Sequence, residues 1–256
     1  MRKRIIDLRV TSTECVGAGC VLLRLRPEEG HLPECRPGQF AQLRVDGPGV
    51  FLRRPISIHD VEGDEISFLV QVVGEGTRWL ADLKVGDRLN VVMPLGNGFS
   101  MPASEGRVLL VGGGVGVAPL LYQGKALKEQ GIPFAFLLGA RTKDLLLRLD
   151  AFRQLGDVYV TTEDGSEGER GFVTQHSQLS ASDGRWTMIQ TCGPTPMMRA
   201  VARYAQERGI PCEVSLENKM ACGVGACLCC VQQTTEGHKC VCTDGPVFDA
   251  QMIIDN

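Results

Sequence analysis

The sequence predicts a multidomain chain: an antiparallel β-barrel, then an α/β domain with a doubly wound parallel sheet, then a small cysteine-rich loop domain. Three observations support this prediction. Short strands separated by Gly and Pro fill roughly the first hundred residues, strands and helices alternate from Gly106 onward, and six of the eleven cysteines lie between Cys222 and Cys242. We place the three domains at residues 1–101, 102–212 and 213–256.

Composition narrows the range of functions. With 43% hydrophobic and 22% charged residues over 256 positions, the chain resembles an ordinary soluble protein. A formal net charge of −3 without a sustained basic run argues against nucleic acid as a partner. No apolar run approaches the roughly 18 residues of a membrane span, and no export signal is recognisable. Many cysteines in such a chain indicate a reducing cytoplasm.

The barrel is predicted from strands of alternating or apolar character, each bounded by turn residues. They lie at Arg4–Thr11, Cys20–Arg26, Phe40–Val45, Ile56–Asp60, Glu65–Val73 and Arg88–Met93. The turn-rich segment Pro94–Phe99 closes this region.

Two loops of the barrel carry groups that suit a phosphate. Arg53 to Ser57 places two cations, a proline and a hydroxyl beside a strand, and Gly74 to Arg78 offers free backbone amides where a helix begins. Each loop taken alone is more often a turn or a solvated charge than a phosphate site. The pair is therefore a candidate phosphate site whose assignment needs further evidence.

The α/β domain begins with a continuous apolar strand after Gly106, a glycine-rich loop from Gly112 to Pro119, and a helix at Leu120–Gln130. Strand, glycine loop and helix indicate nucleotide phosphate binding. The dinucleotide fingerprint G-x-G-x-x-G is not matched, because Pro119 stands at its third glycine. Further strands are predicted at Phe134–Leu138, Val158–Thr161 and Thr187–Thr191, with helices at Leu145–Leu155 and Thr195–Arg208.

Two later segments follow predicted strands and so belong at the ligand-binding edge of the sheet. They are Thr162 to Ser166, where Asp164 reads as a turn former, and Cys192 to Met197. Cys192 fits two interpretations equally, a small buried apolar side chain or a residue beside a cofactor.

The cysteine spacing predicts a [2Fe–2S] cluster. Cys222, Cys227 and Cys230 follow the pattern C-x4-C-x2-C, and Cys242 comes eleven residues later, as in plant-type ferredoxins. A zinc site would favour two C-x2-4-C pairs, and adjacent Cys229 and Cys230 do not suit disulfides. Cys229 and Cys240 lie close enough in sequence to replace a ligand if the loop register shifted.

Several motifs in this order resemble the ferredoxin–NADP reductase superfamily. They are Arg54-Pro55-Ile56-Ser57, Gly76-Thr77, Pro94 to Phe99, Gly112 to Pro119 and Cys192-Gly193-Pro194. The tail, from Ser215 through the four spaced cysteines to Cys242-Thr243-Asp244-Gly245-Pro246-Val247-Phe248, is similar to that of dihydroorotate dehydrogenase type B electron-transfer subunits. The resemblance spans nearly the whole chain.

The resemblance implies a role for each matching residue. The residues that would hold FAD are Arg54, Pro55, Ile56, Ser57, Leu69, Val70, Gln71, Gly76 and Thr77. Those that would cradle NAD are Gly112, Gly113, Gly114, Gly116 and Pro119, with Cys192 near the nicotinamide and flavin rings. Cys222, Cys227, Cys230 and Cys242 would hold the [2Fe–2S] cluster. Arg141 fits either a ribose hydroxyl or a 2′-phosphate, so the choice of NADH over NADPH rests on the resemblance.

The implied function is electron transfer in pyrimidine biosynthesis. Electrons would pass between NAD(H), FAD, the cluster and an FMN-containing dihydroorotate dehydrogenase catalytic subunit, in an assembly of two plus two chains. The alternatives are the small subunit of another NAD(P)H-linked oxidoreductase, of the ferredoxin, sulfide dehydrogenase or hydrogenase type, and a non-catalytic redox or zinc-stabilised module. The four histidines form no arrangement typical of acid–base catalysis.

Overall fold

The computed structural model describes residues 3–47, 49–102, 106–180 and 186–253. It confirms the predicted fold class: a closed antiparallel barrel, a mainly parallel sheet covered by helices, and a cysteine-rich C-terminal part. Within these ranges, none of the helices has the length and hydrophobicity that crossing a membrane requires.

Six strands form the barrel in the order β1-β2-β5-β4-β3-β6. Their bounds are β1 Arg4–Gly17, β2 Cys20–Pro27, β3 Phe40–Leu43, β4 Arg54–Glu62, β5 Glu65–Gln71 and β6 Arg88–Leu95. Strand β1 continues six residues beyond its predicted end at Thr11, because β2 pairs with it as far as Gly17. A tight turn with positive φ at Ala18 and Gly19 joins the two strands.

A short helix, α1 (Glu75–Ala81), follows β5. Thr77 fixes its start, since the Thr77 hydroxyl accepts from the backbone N–H groups of Val73 and Gly74 at 2.9 and 3.1 Å. These bonds satisfy the backbone donors of the two residues that precede the helix.

The second sheet has seven strands in the order β10-β9-β8-β7-β11-β12-β15, of which all but β15 are parallel. Its strands are β7 Val108–Gly113, β8 Phe134–Ala140, β9 Asp157–Thr162, β10 Glu169–Arg170, β11 Met188–Cys192, β12 Cys212–Ser215 and β15 Val247–Asp249. Its helices are α2 Ala118–Glu129, α3 Leu149–Leu155, α4 Ser177–Ser180 and α5 Thr195–Glu207. Leu127 and Phe152 from α2 and α3 pack in one core, whereas Leu179 and Val201 from α4 and α5 pack in another, so the sheet is covered on both faces.

Two predictions for this sheet differ from the structure. Helix α3 begins at Leu149 rather than Leu145, because Arg148 adopts φ +58° and a separate turn of 3₁₀ helix covers Lys143–Leu145. Residues 213–256 were predicted to form a separate loop domain, yet β15 and most of β12 come from this segment and belong to the sheet. The predicted boundary between residues 212 and 213 falls inside β12, and the one near 101–102 lies beside residues 103–105, which are outside the described ranges.

The C-terminal part contains a hairpin, β13 (Val231–Thr234) and β14 (Gly237–Cys240), after the first three spaced cysteines. The barrel contacts this part through Asn97, whose Nδ2 donates to the carbonyl oxygens of Thr243 and Asp244 at 3.3 and 2.9 Å. The backbone N–H of Asn97 also donates to Gly245 at 2.6 Å. The segment from Pro94 to Phe99 therefore attaches the tail to the barrel.

The barrel and the α/β domain meet where β4 packs against α2. Lys125 Nζ lies 2.5 Å from Asp60 Oδ2, and Tyr122 donates its hydroxyl proton to the carbonyl oxygen of Cys35 at 3.0 Å. His59 is buried in this contact, with Nδ1 2.7 Å from the carbonyl oxygen of Ala118. These contacts hold α2 against the barrel.

Candidate functional site

A cavity of about 1060 Å³ opens at the carboxyl ends of the parallel strands. Residues that end or follow β7, β8, β9 and β11 line it, which is where open α/β sheets bind ligands. Ala18 and Gln71 bring the barrel to its rim. The lining residues used below are Gly113, Gly114, Gly116, Gly139, Arg141, Glu163, Cys192 and Gly193.

The glycine-rich loop is shaped by close packing. A Cβ on Gly116 would lie 2.4 Å from the Cα of Gly193, and one on Gly112 would lie 2.8 Å from Leu120 Cδ1. A Cβ on Gly113 would lie 2.7 Å from the sulfur of Met197. Gly114, by contrast, adopts φ +55°, and a Cβ there would meet no atom within 4 Å. Gly113, Gly114 and Gly116 thus present bare backbone to the cavity.

Gly112 and Pro119 do not line the cavity. Gly112 is buried at the end of β7, and Pro119 is buried in the first turn of α2, where a missing N–H costs nothing. Both residues shape the backbone of the loop from its buried side, so any role in nucleotide binding is indirect.

Cys192 ends β11 at the wall of the cavity, next to the glycine loop. Burial raises the pKa of its thiol to about 12, although a hydrogen bond with Ser215 opposes the rise. The thiol is therefore protonated at neutral pH and unsuited to nucleophilic chemistry. The expected position of Cys192 beside two rings stays a prediction, and its place in the wall is compatible with it.

Two of the barrel residues expected to hold FAD, Arg54 and Gly76, lie against each other. The Arg54 side chain crosses the face of Gly76, because a Cβ there would lie 2.4 Å from Arg54 Nε. Its NH1 group donates to the carbonyl oxygen of Leu52 at 2.6 Å. Pro55, Ile56 and Ser57 follow on β4 and are partly exposed. The β4 cation and the start of α1 thus form one continuous surface.

The three residues expected on β5 differ in their surroundings. Val70 is fully buried in the barrel core, and Leu69 is buried against residues of the α/β domain. Their side chains are committed to packing, so any contact with FAD would be made through their backbone. Gln71 is exposed at the rim of the cavity, where its side chain is available to a ligand.

The four spaced cysteines lie as two pairs. The thiols of Cys222 and Cys227 contact each other, as do those of Cys230 and Cys242. Backbone N–H groups of Val224 and Cys227 reach Cys222 Sγ at 3.4 Å, and the bond from Val224 is the main reason the Cys222 pKa falls to about 6. Burial raises the pKa of Cys242 to about 12.

This donor set fits a two-iron cluster. In the described ranges, no three His, Cys, Asp or Glu side chains lie close enough to share one metal ion. Two pairs of thiols, with backbone donors aimed at sulfur, match the two cysteines that each iron of a [2Fe–2S] cluster requires. Gly223 and Gly225, with φ +69° and +86°, let the loop turn around such a cluster.

The two other cysteines of the loop differ from each other. Cys229 is exposed, whereas the Cys240 thiol contacts Cys230 and its backbone N–H donates to Asp244 Oδ2 at 2.6 Å. Cys240 is therefore near the cluster loop, and its exclusion from the ligand set stays a prediction.

Sequence reasoning missed Gln42 of β3. This side chain is fully buried between the barrel and the cysteine loop, and its amide atoms have no hydrogen-bond partner among the described residues. A polar residue in a strand normally indicates a solvated face, so the sequence alone gave no signal for it. Glu163, by contrast, lines the cavity and belongs to the segment from Thr162 to Ser166, which was predicted at the ligand-binding edge because it follows a strand.

Together, the barrel, the cavity and the cysteine loop define an oxidoreductase with an NAD-binding domain and an iron–sulfur domain. Family models agree. Residues 217–254 match the iron–sulfur cluster binding domain of dihydroorotate dehydrogenase B, and residues 110–203 match an oxidoreductase NAD-binding domain. The first match supports the cluster over the zinc and disulfide interpretations of the tail.

Curated relatives identify the family. The dihydroorotate dehydrogenase B (NAD(+)) electron transfer subunit of Caldanaerobacter subterraneus subsp. tengcongensis is 43% identical over 222 residues, which cover 85% of this chain and 87% of the relative. The subunit of the same name from Clostridium acetobutylicum is 40% identical over 225 residues, covering 87% and 88%. The chain therefore belongs to the family of dihydroorotate dehydrogenase B electron transfer subunits.

One solved structure matches nearly the whole chain, and a second shares the fold over most of it. A structure described as that of the NADH-dependent reduced ferredoxin-NADP oxidoreductase superposes with a TM-score of 0.85 at 34% identity, covering 96% of this chain and 89% of that chain. The ferredoxin reductase in carbazole 1,9a-dioxygenase shares the fold at a TM-score of 0.71 and 23% identity, with 82% and 68% covered.

Proposed function

We propose that this chain carries electrons between NAD(H) and the FMN of a dihydroorotate dehydrogenase catalytic subunit, by way of bound FAD and a [2Fe–2S] cluster. The reaction would oxidise dihydroorotate in pyrimidine biosynthesis. A cytoplasmic location suits the eleven free cysteines. The complex would contain two copies of each subunit.

The observation that carries this proposal is the central position of the barrel. Gln71 and Ala18 of the barrel meet the nucleotide cavity, while Gln42 of β3 packs directly on Gly223 of the cysteine loop. A flavin held on the β4 surface, which is formed by residues 54–57, would therefore adjoin both the NAD cavity and the cluster. Bound FAD can exchange a hydride with NAD(H) and single electrons with a cluster.

The chain's own residues would act by binding and orientation. Arg54 and the amides near Gly76 supply positive charge and donors for the FAD pyrophosphate. Gly113, Gly114 and Gly116 let a dinucleotide approach the backbone, and Arg141, exposed in the cavity wall, supplies a cation for its ribose end.

Proton chemistry has little part in this mechanism. The Cys192 thiol is protonated at neutral pH, so it would pack beside the rings rather than exchange a proton with them. At the other end of the path, four thiolates and the backbone donors around Cys222 would hold the cluster.

The test is to co-express this chain with a dihydroorotate dehydrogenase catalytic subunit and purify the complex anaerobically. Dihydroorotate-dependent NAD⁺ reduction is expected, and the control without this chain should lack it. A flavin and cluster signal without complex formation or turnover would reject this partner.

A second candidate is the small subunit of another NAD(P)H-linked oxidoreductase. It is favoured by the 34% identity to the ferredoxin-NADP oxidoreductase structure. Four cysteines at Cys222, Cys227, Cys230 and Cys242 argue against an electron-bifurcating version, in which we expect an acidic residue to replace one of them. Turnover with ferredoxin, but not with the catalytic subunit, would favour this candidate.

A further inference from the structure

Gln42 occupies an unusual position on the outer face of the barrel. Its neighbours Ala41 and Leu43 pack in the barrel core, so Gln42 and Phe40 point the opposite way. Phe40 packs in the core that contains Cys230 and Cys242. The face that carries Gln42 is thus the one that meets the cysteine loop.

The Gln42 amide is buried without a partner. The residue has no exposed surface, and neither Nε2 nor Oε1 has a hydrogen-bond partner among the described residues. A buried amide that makes no hydrogen bond bears the full cost of losing its water. Such a group in a folded protein indicates an acceptor or donor supplied by something other than the polypeptide.

The amide lies against the backbone that follows the first cluster cysteine. A Cβ on Gly223 would lie 2.6 Å from Gln42 Cγ and 2.7 Å from Gln42 Nε2. Only glycine leaves room for the amide here. The adjoining Cys222 sulfur already accepts N–H groups from Val224 and Cys227.

The same face also carries two of the residues expected to hold FAD, Pro55 and Ser57. In the β3–β4 pairing, Gln42 stands opposite Pro55 and Phe40 stands opposite Ser57. Residues directly opposite in an antiparallel pair share one face of the sheet. Gln42 is therefore placed between the β4 surface and the cysteine loop.

We propose that the Gln42 side chain donates a hydrogen bond from Nε2 to a sulfur at the Cys222 end of the cluster, and that this bond raises the cluster's reduction potential. The inference rests on the proposed function, because it requires a cluster in the loop. Reduction adds negative charge to the cluster, so an N–H donor stabilises the reduced form more than the oxidised form.

The first test is the variant Gln42→Leu, which keeps approximate side-chain volume and removes the donor. In an EPR-monitored redox titration of the full chain, the reduction equilibrium should shift about tenfold toward the oxidised form, or about 59 mV lower for a one-electron couple. A cluster that forms in the variant with an unchanged potential would overturn the inference.

Gln123→Leu is the matched control. Gln123 is also fully buried, but its Nε2 donates to Gln190 Oε1 at 2.8 Å in the α/β domain. This variant should lose stability and leave the potential unchanged. An equal fall in reduction potential in both variants would show that the potential responds to a general loss of stability and not to a bond to sulfur. This result would also overturn the inference.

A second measurement uses the unmodified sequence, so it decides the matter even if Gln42→Leu cannot hold a cluster. Protein labelled with ¹⁵N only at glutamine side-chain amides should show a ¹⁵N coupling to the reduced cluster in pulsed EPR. The coupling should persist in Gln232→Met, because Gln232 Nε2 donates to the carbonyl oxygen of Gln233.

Absence of the ¹⁵N coupling from a loaded cluster, or its loss in Gln232→Met, would overturn the role of Gln42 and leave the proposed function intact. Failure of the unmodified chain to hold any cluster would instead overturn the proposed function together with this inference.

Discussion

The imidazole Nδ1 of His59 lies 2.7 Å from the carbonyl oxygen of Ala118, joining β4 of the barrel to the first turn of α2. His59 stands two residues beyond Ser57 on the strand expected to hold FAD, and Ala118 lies near the end of the glycine-rich loop, where α2 begins. This bond therefore fixes the distance between the two candidate cofactor surfaces. Nδ1 carries the proton that it donates, and burial lowers the pKa of the ring to about 4, so Nε2 is unprotonated and the ring is neutral at pH 7.

His59 predicts a loss of stability in acid. Burial lowers its pKa to about 4 from an ordinary value of 6.5; the hydrogen bond with Ala118 and the charge of Asp60 oppose the shift, and the charges of Arg148 and Lys125 add to it. Between pH 6.5 and about pH 4, the unfolded chain therefore binds a proton at this imidazole and the folded chain does not. His59→Asn keeps a donor but cannot titrate. Between pH 6.5 and 4, the wild type should lose about 3 kcal/mol more unfolding free energy than this variant.

Urea denaturation of both proteins at several pH values measures this difference. If the free energy of unfolding fell equally with pH in both proteins, the assignment of a neutral His59 with a lowered pKa would be wrong.

Asn97 predicts the strength of the attachment between barrel and tail. Asn97→Ala removes the two bonds from Nδ2 to Thr243 and Asp244 and should lower the free energy of unfolding by about 1–3 kcal/mol. Asn97→Asp should not restore stability, because a carboxylate cannot donate to carbonyl oxygens. Thermal denaturation and the rate of cluster loss to a chelator report the effect, and full stability in Asn97→Asp would refute it.

Alanine substitutions at two glycines of the glycine-rich loop should differ in their effect on stability. In Gly116→Ala the new methyl would overlap the backbone at Gly193, which cannot move aside, so we expect a large loss of stability and of NADH binding. Gly114→Ala meets open space and should cost only about 1–2 kcal/mol for its positive φ. Melting temperature and NADH titration measure both, and equal effects would argue against the packing described.

FAD retention should respond to Gly76. A methyl on Gly76 would collide with the Arg54 guanidinium, so Gly76→Ala should weaken FAD retention as Arg54→Ala does, while the cluster's EPR signal persists. Gly74→Ala is the control, because nothing lies within 4 Å of its new methyl. Flavin fluorescence after gel filtration measures retention, and unchanged retention in Gly76→Ala would separate Arg54 from the FAD site.

Serine variants test the cluster ligands. Cys222→Ser, Cys227→Ser, Cys230→Ser or Cys242→Ser should each lose the visible absorbance of the cluster, because each removes one of four thiolates. Cys229→Ser, at an exposed thiol, should keep it. Cys240→Ser should also keep it, even though Cys240 contacts Cys230. Bleaching in Cys240→Ser but not in Cys242→Ser would shift the ligand register.

Local patterns were sufficient to predict most of the architecture. Gly and Pro mark the ends of barrel strands, and the strand, glycine loop and helix after Gly106 form a unit whose signals are adjacent in sequence. The paired cysteines follow from spacing in the same way. What these features share is that all their determinants lie within about 20 residues.

Features that depend on distant partners were missed. Strand β15 is three residues long and is a strand only because it pairs with β12, more than thirty residues earlier. The polar second half of β1 resembles a loop until β2 pairs with it. Gln42 reads as surface in the sequence and becomes buried only when the cysteine loop folds against the barrel. Such cases are tertiary effects that override local preference.

The pairing of β15 with β12 also protects the sheet. Backbone groups on an open strand edge can pair with another molecule, and the parallel sheet would present such an edge at β12 if the tail were absent. At the opposite side, β10 has only two residues, Glu169 and Arg170, so that edge offers little to pair with. The C-terminal segment that carries the cysteines therefore also covers an edge of the α/β sheet. Removing it should lower solubility as well as abolish electron transfer.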